Sequence, residues 1–153
     1  MTPHDLAKSG SEHAHQVALF AWLGMASKYG IDAANDPISY EKNGKIYVEH
    51  KYGNDKAIPL LAEMYAIPNG GERNKIVAAR LKAEGVKAGT PDTHLPVGNS
   101  EHKSLYIEMK KVTGTLCVVQ KERIERLRHY GNAVAVCYSW EEAVVEIITY
   151  ITK

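Results

Sequence analysis

The chain has 153 residues, 44% of them hydrophobic and 24% charged, and its formal net charge is +1. That is enough for one domain with its own core, and the near-neutral balance gives the molecule as a whole little general pull on nucleic acid. No stretch approaches the apolar length of a membrane span, and the start M-T-P-H-D-L-A-K-S-G lacks a signal peptide's apolar run. Cys117 and Cys137 both lie in apolar contexts, as expected of buried thiols in a reducing, cytoplasmic setting.

A first helix is predicted to open at Ser9-Gly10-Ser11-Glu12 and to run to Gly30. Val17, Phe20, Ala21 and Gly24 form its apolar stripe, widened by Leu19, Trp22 and Leu23. Glu12 reads either as a capping-box partner of Ser9 or as an acid kept for a site. His13 and His15 do not share a helix face, which argues against zinc there. Ile38–Val48 then carries Asn43-Gly44 between two alternating runs, a strong hairpin signal. Its Tyr40, Tyr47 and Tyr52, with Lys42, Lys45 and Lys51, suit a base-stacking arm or, alternatively, a solvated decoration or dimer contact.

Leu60–Ile67 is apolar and predicts a buried strand, with room for a helical turn before it. A break at Pro68-Asn69-Gly70-Gly71 leads into a helix that ends at Gly85 and turns Ile76, Val77, Ala79, Leu81 and Ala83 inward. Asn69, Gly70, Gly71, Arg73 and Lys75 are candidate nucleic-acid contacts, because backbone N–H groups and positive charge together can cradle a phosphate. A plain turn before a solvated helical turn has the same composition.

From Gly85 to Lys110 the pattern is a turn, a strand starting near Asp92, a polar loop, and a second strand that should pair antiparallel with the first. Side-chain alternation puts Glu108 and Lys110 on one face beside Tyr106, about 7 Å apart at their backbones, and Leu105, Ile107 and Met109 on the other. A helix from about Leu116 to Tyr130 should bury Leu116, Val119, Ile124 and Leu127. The interior-type strand Ala133–Tyr138 would follow it through a right-handed crossover. Trp140–Tyr150 closes the chain as an amphipathic helix capped by Ser139, with Glu142 as the capping-box partner.

An acid entering one strand and acid-x-Lys on its neighbour is the pattern needed for metal-assisted phosphodiester hydrolysis. Asp92 and Glu108 would supply hard oxygen ligands for a divalent cation, which polarises a phosphate. Lys110 would orient the attacking water and offset charge building on phosphorus. The same residues also read as a charged edge strand or a structural ion cluster. Gln120, on the following helix, could point toward the same edge.

The strings A-I-P-N-G-G-E-R, G-V-K-A-G-T-P-D-T-H-L-P and S-L-Y-I-E-M-K-K-V-T-G-T-L-C-V-V-Q, with the S-E-H-A-H-Q helix start, resemble the VRR-NUC family of the PD-(D/E)xK nuclease superfamily. The resemblance covers nearly all of the chain. It implies a single α/β domain over 1–153, a restriction-endonuclease-like mixed β-sheet flanked by helices, with an inserted β-hairpin at about 31–58. It also implies Mg²⁺- or Mn²⁺-dependent cleavage of DNA. Asp92 and Glu108 would be the metal ligands, with the Met109 backbone carbonyl as a third and Glu12 completing the site. Lys110 would be the catalytic lysine and Gln120 the extra motif residue. Family members of this size occur in phages and bacteria, which implies the bacterial cytoplasm, a homodimer, and branched or structured DNA such as Holliday junctions. A flap or nicking nuclease, or a non-catalytic nucleic-acid-binding module on the same fold, are the alternatives.

Overall fold

Short polar side chains start several of the helices. Thr2 accepts from the Asp5 N–H and Asp5 accepts from the Thr2 N–H, a capping box that turns Pro3–Leu6 into a one-turn helix, α1. Ser11, not Ser9, caps the long helix α2, Glu12–Tyr29, by accepting from the Ala14 N–H. A short helix α3, Ile31–Asn35, follows, and Asn35 Oδ1 accepts from the buried Trp22 indole N–H at 2.7 Å. The computed structural model describes residues 1–35, 38–49, 56–68 and 75–153, with backbone alone for 38–42 and 46–49.

Strands β1, Ile38–Lys42, and β2, Lys45–Glu49, form a two-stranded antiparallel hairpin in which Lys42 pairs with Lys45. The turn residues Asn43 and Gly44 have φ of 55° and 69°, the left-handed pair that a two-residue hairpin turn requires. The chain returns at Lys56, whose ammonium lies 2.8 Å from Asp32, and at Ile58, whose N–H donates to the Ala26 carbonyl near the end of α2. The side chains of Tyr40, Tyr47, Tyr52, Lys42 and Lys51 lie outside the described residues, so the base-stacking arm read from the sequence does too.

A 3-10 turn, Pro59–Glu63, leads to β3, Tyr65–Ala66. Helix α4, Lys75–Ala83, strand β4, Thr93–Leu95, and strand β5, Leu105–Met109, come next. Helix α5, Val118–His129, strand β6, Ala133–Cys137, and helix α6, Trp140–Ile151, complete the chain. The four-stranded sheet has the order β3-β4-β5-β6; β4 runs antiparallel to β3 and β5, and β6 runs parallel to β5. Alternation along β5 decides what each face meets. Leu105, Ile107 and Met109 join Leu95 in a core with Leu19, Trp22 and Leu23 of α2 and Ala143, Val144 and Ile147 of α6. On the opposite face α5 sets Ile124 and Leu127 on Val134, with Tyr106 and Val136 alongside, so this helix lies over β5 and β6. No helix among the described residues is long and apolar enough to cross a membrane.

Several sequence expectations are corrected. The buried face of α2 carries Ala14, Ala18, Leu19, Trp22, Leu23 and Ala26, while Val17 and Gly24 are exposed, because the larger side chains drew the helix round. Leu60–Ile67 is mostly a 3-10 turn with only two strand residues. Pro59 starts that turn, and Leu61 and Met64 are buried in the core with Leu60 packed against it. None of the apolar residues of α4 is buried, and Ile76 is 82% exposed. Val119 and Cys117 are exposed, since the first turn of α5 projects past the sheet. Strand β6 is apolar yet stands at the edge of the described sheet, its faces covered by α5 and α6 instead of a further strand.

The contrast between buried and bare apolar residues is testable by chemical denaturation. Ile107→Ala should cost about 2–5 kcal/mol through lost contacts and a cavity, whereas Ile76→Ala should change stability by no more than about 0.5 kcal/mol.

Candidate active site

The site forms at the carboxyl end of β5, where Asp92, leading into β4, comes beside Glu108. Thr93 fixes this register. It pairs with Ile107, is fully buried, and donates its hydroxyl to the Ile107 carbonyl at 3.2 Å. The Asp92 carboxylate accepts from the Met109 N–H at 2.7 Å, and its backbone carbonyl accepts from the Ile67 N–H, so both its ends are held. Glu108 is 2% exposed. One of its oxygens accepts from the Lys110 ammonium at 3.0 Å and from the Gln120 amide of α5. Lys110 is itself largely buried, and its N–H donates to the Cys137 carbonyl, which extends the β5–β6 ladder.

Gln120 is oriented by the helix it sits on. Its side-chain oxygen accepts from the Cys117 N–H at the head of α5, so its NH₂ must face the other way, onto Glu108. Close packing sets the distance. Gly89, at φ 75°, lies against the first turn of α5, where a Cβ would stand 2.7 Å from the Val119 carbonyl. Ala88, Gly89, Thr90, Asp92, Glu108, Cys117, Val119 and Gln120 line an open cleft of about 340 Å³. A smaller cavity of about 120 Å³, by Leu105 and Ala133 at the other end of these strands, has only Glu146 as a carboxylate.

Burial is the main force on the two acids. It raises Glu108 well above the ordinary 4.5, to about 7, reinforced by the negative charge of Asp92 and offset only in part by Lys110. Asp92 is also raised by burial, against the Met109 N–H and the Lys110 charge, which hold it down. Lys110 is pulled down by burial, but contact with Glu108 and the charges of Glu12 and Asp92 outweigh that and keep it cationic.

Of the sequence-predicted residues, Asp92, Glu108, Lys110 and Gln120 come together in one cluster. Glu12 lies at its margin. Its carboxylate accepts from the Lys111 N–H at 3.3 Å, and its charge bears on Asp92, Glu108 and Lys110. It is therefore not a cap for Ser9. Among the described residues no three His, Cys, Asp or Glu side chains are placed to hold one metal ion. The acidic donors available to a cation are thus Asp92 and Glu108, whose negative charges disfavour each other. Hard oxygen donors of this number fit an ion that keeps much of its own water, such as Mg²⁺. Asn69, Gly70, Gly71 and Arg73 lie outside the described residues, and Lys75 stands exposed at the start of α4. Sequence reasoning found the compact turn around Gly89 but passed over the dual contact of Gln120 and the close approach of Gly89 to α5. A Gln at the third position of a helix was the available signal for the dual contact.

A mixed sheet with helices on both faces, and paired acids with a lysine at one strand end, define a restriction-endonuclease-like α/β fold of the nuclease type. Among solved structures the chain is similar to a VRR_NUC domain protein, at 32% identity and a TM-score of 0.55, over 63% of this chain and 74% of that one. The chain belongs to the VRR-NUC family. No family model and no curated protein matches it.

Because Glu108 holds its proton more tightly in the folded state, folding takes up a proton between about pH 4.5 and 7. With metal chelated, stability should therefore fall as pH rises through that window. Melting temperatures measured across it should decline in the native protein, and Glu108→Gln should flatten the decline. Parallel curves would mean that this carboxyl does not carry the proton.

Proposed function

We propose that the chain is a Mg²⁺- or Mn²⁺-dependent endodeoxyribonuclease that hydrolyses phosphodiester bonds in branched or structured DNA. The observation that carries this reading is the convergence of Asp92, Glu108 and Lys110 at the end of β5, the two acids lining an open cleft, in a chain of the VRR-NUC family. Asp92 and Glu108, with the Met109 carbonyl, would hold the ion. When bound it supplies Lewis acidity toward the scissile phosphate. Water attacks phosphorus in line, the P–O bond to the departing sugar oxygen breaks, and no covalent enzyme intermediate forms. Lys110 presents a fixed positive charge where negative charge develops on the phosphoryl oxygens, in a pocket that strengthens its effect. Gln120 keeps Glu108 aimed into the cleft. Glu12 is a positioning residue for the strand end through the Lys111 N–H.

Branched DNA is favoured over long regular duplex by the near-neutral net charge, which provides little sequence-independent attraction along a uniform backbone. A homodimer, placing one site on each of two strands, belongs to the same proposal. Size-exclusion chromatography with light scattering tests it, and a monomer at working concentration would remove it.

Asp92→Asn and Glu108→Gln should each abolish Mg²⁺-dependent cleavage while leaving the fold intact by circular dichroism. Lys110→Ala should lower kcat by about 10²-fold or more with little change in DNA affinity, since its contribution lies in the transition state. Millimolar Mn²⁺ should raise the melting temperature of the native protein but not of Asp92→Asn. Full cleavage by either acid variant, or no shift with Mn²⁺, would return the cluster to a structural ion pair on a non-catalytic module. Junction, flap, nicked and linear substrates compared side by side separate junction cleavage from a flap or nicking preference.

A further inference from the structure

Next to the paired acids, on the same face of the sheet, runs a row of aromatic rings that the proposed chemistry does not use. His94 is two residues beyond Asp92 on β4, and Tyr106 is two residues before Glu108 on β5. Each ring thus shares a face with its acid at a backbone step of about 7 Å. His94 and Tyr106 pair across the strands and stack, with centroids 4.1 Å apart and planes at 17°. Tyr65 of β3 pairs with His94 in turn. Its hydroxyl lies 2.6 Å from His94 Nδ1 and its ring stands edge-on at 84°. Burial holds His94 below its ordinary range, which favours the neutral ring, and a hydrogen bond joins its Nδ1 to the Tyr65 hydroxyl. Tyr65 is the bare member of the row, 47% exposed. Arg123, on α5, brings a positive charge to Tyr106, and its Nε is buried without a hydrogen-bond partner among the described residues.

Cross-strand aromatic pairs strengthen a sheet, and β3 has only two residues, so part of this row holds that strand in place. That role explains the ring contacts. It does not explain an outward tyrosine on the strand next to the one that Asp92 leads into, nor a cation beside the row whose Nε is unbonded among the described residues. A flat π face adjoining a phosphate-cleaving cleft is suited to a nucleobase, because stacking accepts every base and arginine adds attraction for the same ring. Bases inside a continuous duplex are stacked on each other and cannot reach such a shelf. We propose that Tyr65, backed by His94 and Tyr106 with Arg123 beside them, is a stacking subsite for one unpaired nucleobase adjoining the scissile phosphate. Selectivity for DNA with unpaired nucleotides then originates at this shelf. The inference rests on the nuclease reading for its cleavage consequence but not for its binding consequence.

The test uses the full chain, metal-free, and a short single-stranded DNA carrying one 2-aminopurine. Stacking on Tyr65 quenches the probe. Tyr65→Leu, which keeps bulk and strand preference, should weaken binding about tenfold or more, and Tyr65→Phe should restore it. With Mg²⁺ present, Tyr65→Leu should lose more activity on a substrate with unpaired nucleotides than on a continuous duplex of the same sequence. Absence of quenching by the native protein, affinity unchanged in a folded Tyr65→Leu, or equal loss on both substrates would overturn the shelf. If Tyr65 governs binding yet no substrate is cut, the nuclease reading fails and the shelf stands. Cleavage with binding indifferent to Tyr65 gives the reverse.

Discussion

The contact on which the cluster depends is the one between the buried Glu108 carboxyl and its three neighbours. A carboxyl almost sealed from water favours its proton, and here burial and the charge of Asp92 outweigh the Lys110 and Gln120 contacts that favour the ionised form. The result is an unbalanced group: two acids and one ammonium in a cleft, with Glu12 adding negative charge from the margin. An added divalent cation would remove the repulsion that the protein's own residues leave in place. The cost of folding such a group and its value for chemistry have the same origin.

The rest of the structure holds that contact in place. The β4–β5 register is set by Thr93, the direction of Gln120 by its bond to the head of α5, and the approach of α5 by the missing side chain at Gly89. Lys110, just past β5, and Gln120 of α5 thereby meet at one oxygen of Glu108. A change of one residue in the register would send Glu108 into the apolar core beside α2, so the alternation of β5 serves packing and chemistry at once.

Much of this was legible in the chain itself. The alternation Leu105-Tyr106-Ile107-Glu108-Met109-Lys110 was enough to assign both faces of β5, and Asn43-Gly44 marked the hairpin because few other residue pairs tolerate two left-handed conformations. Other features were not legible for physical reasons. Periodicity shows which side of a helix is apolar but not whether anything lies against it, so α4 was expected to be buried and is not. On α2 nearly every position is apolar, which leaves the orientation to be settled by where Trp22 and Leu19 fit. Pro59 changed a strand-like run into a 3-10 turn, a local backbone constraint that outweighs composition. The aromatic row needed the pairing of β3, β4 and β5 before its three members could be seen as neighbours.

The segment between α2 and the 3-10 turn leaves and returns at one place. Asp32 and Lys56 close its base with an ion pair, and Ile58 bonds back to Ala26 beneath them. The entropy of closing a loop grows only slowly with its length, so whatever is strung between those two anchors adds little strain to the sheet that bears the acids. Such a stem lets the length of chain between the two anchors change with little effect on the sheet beside it.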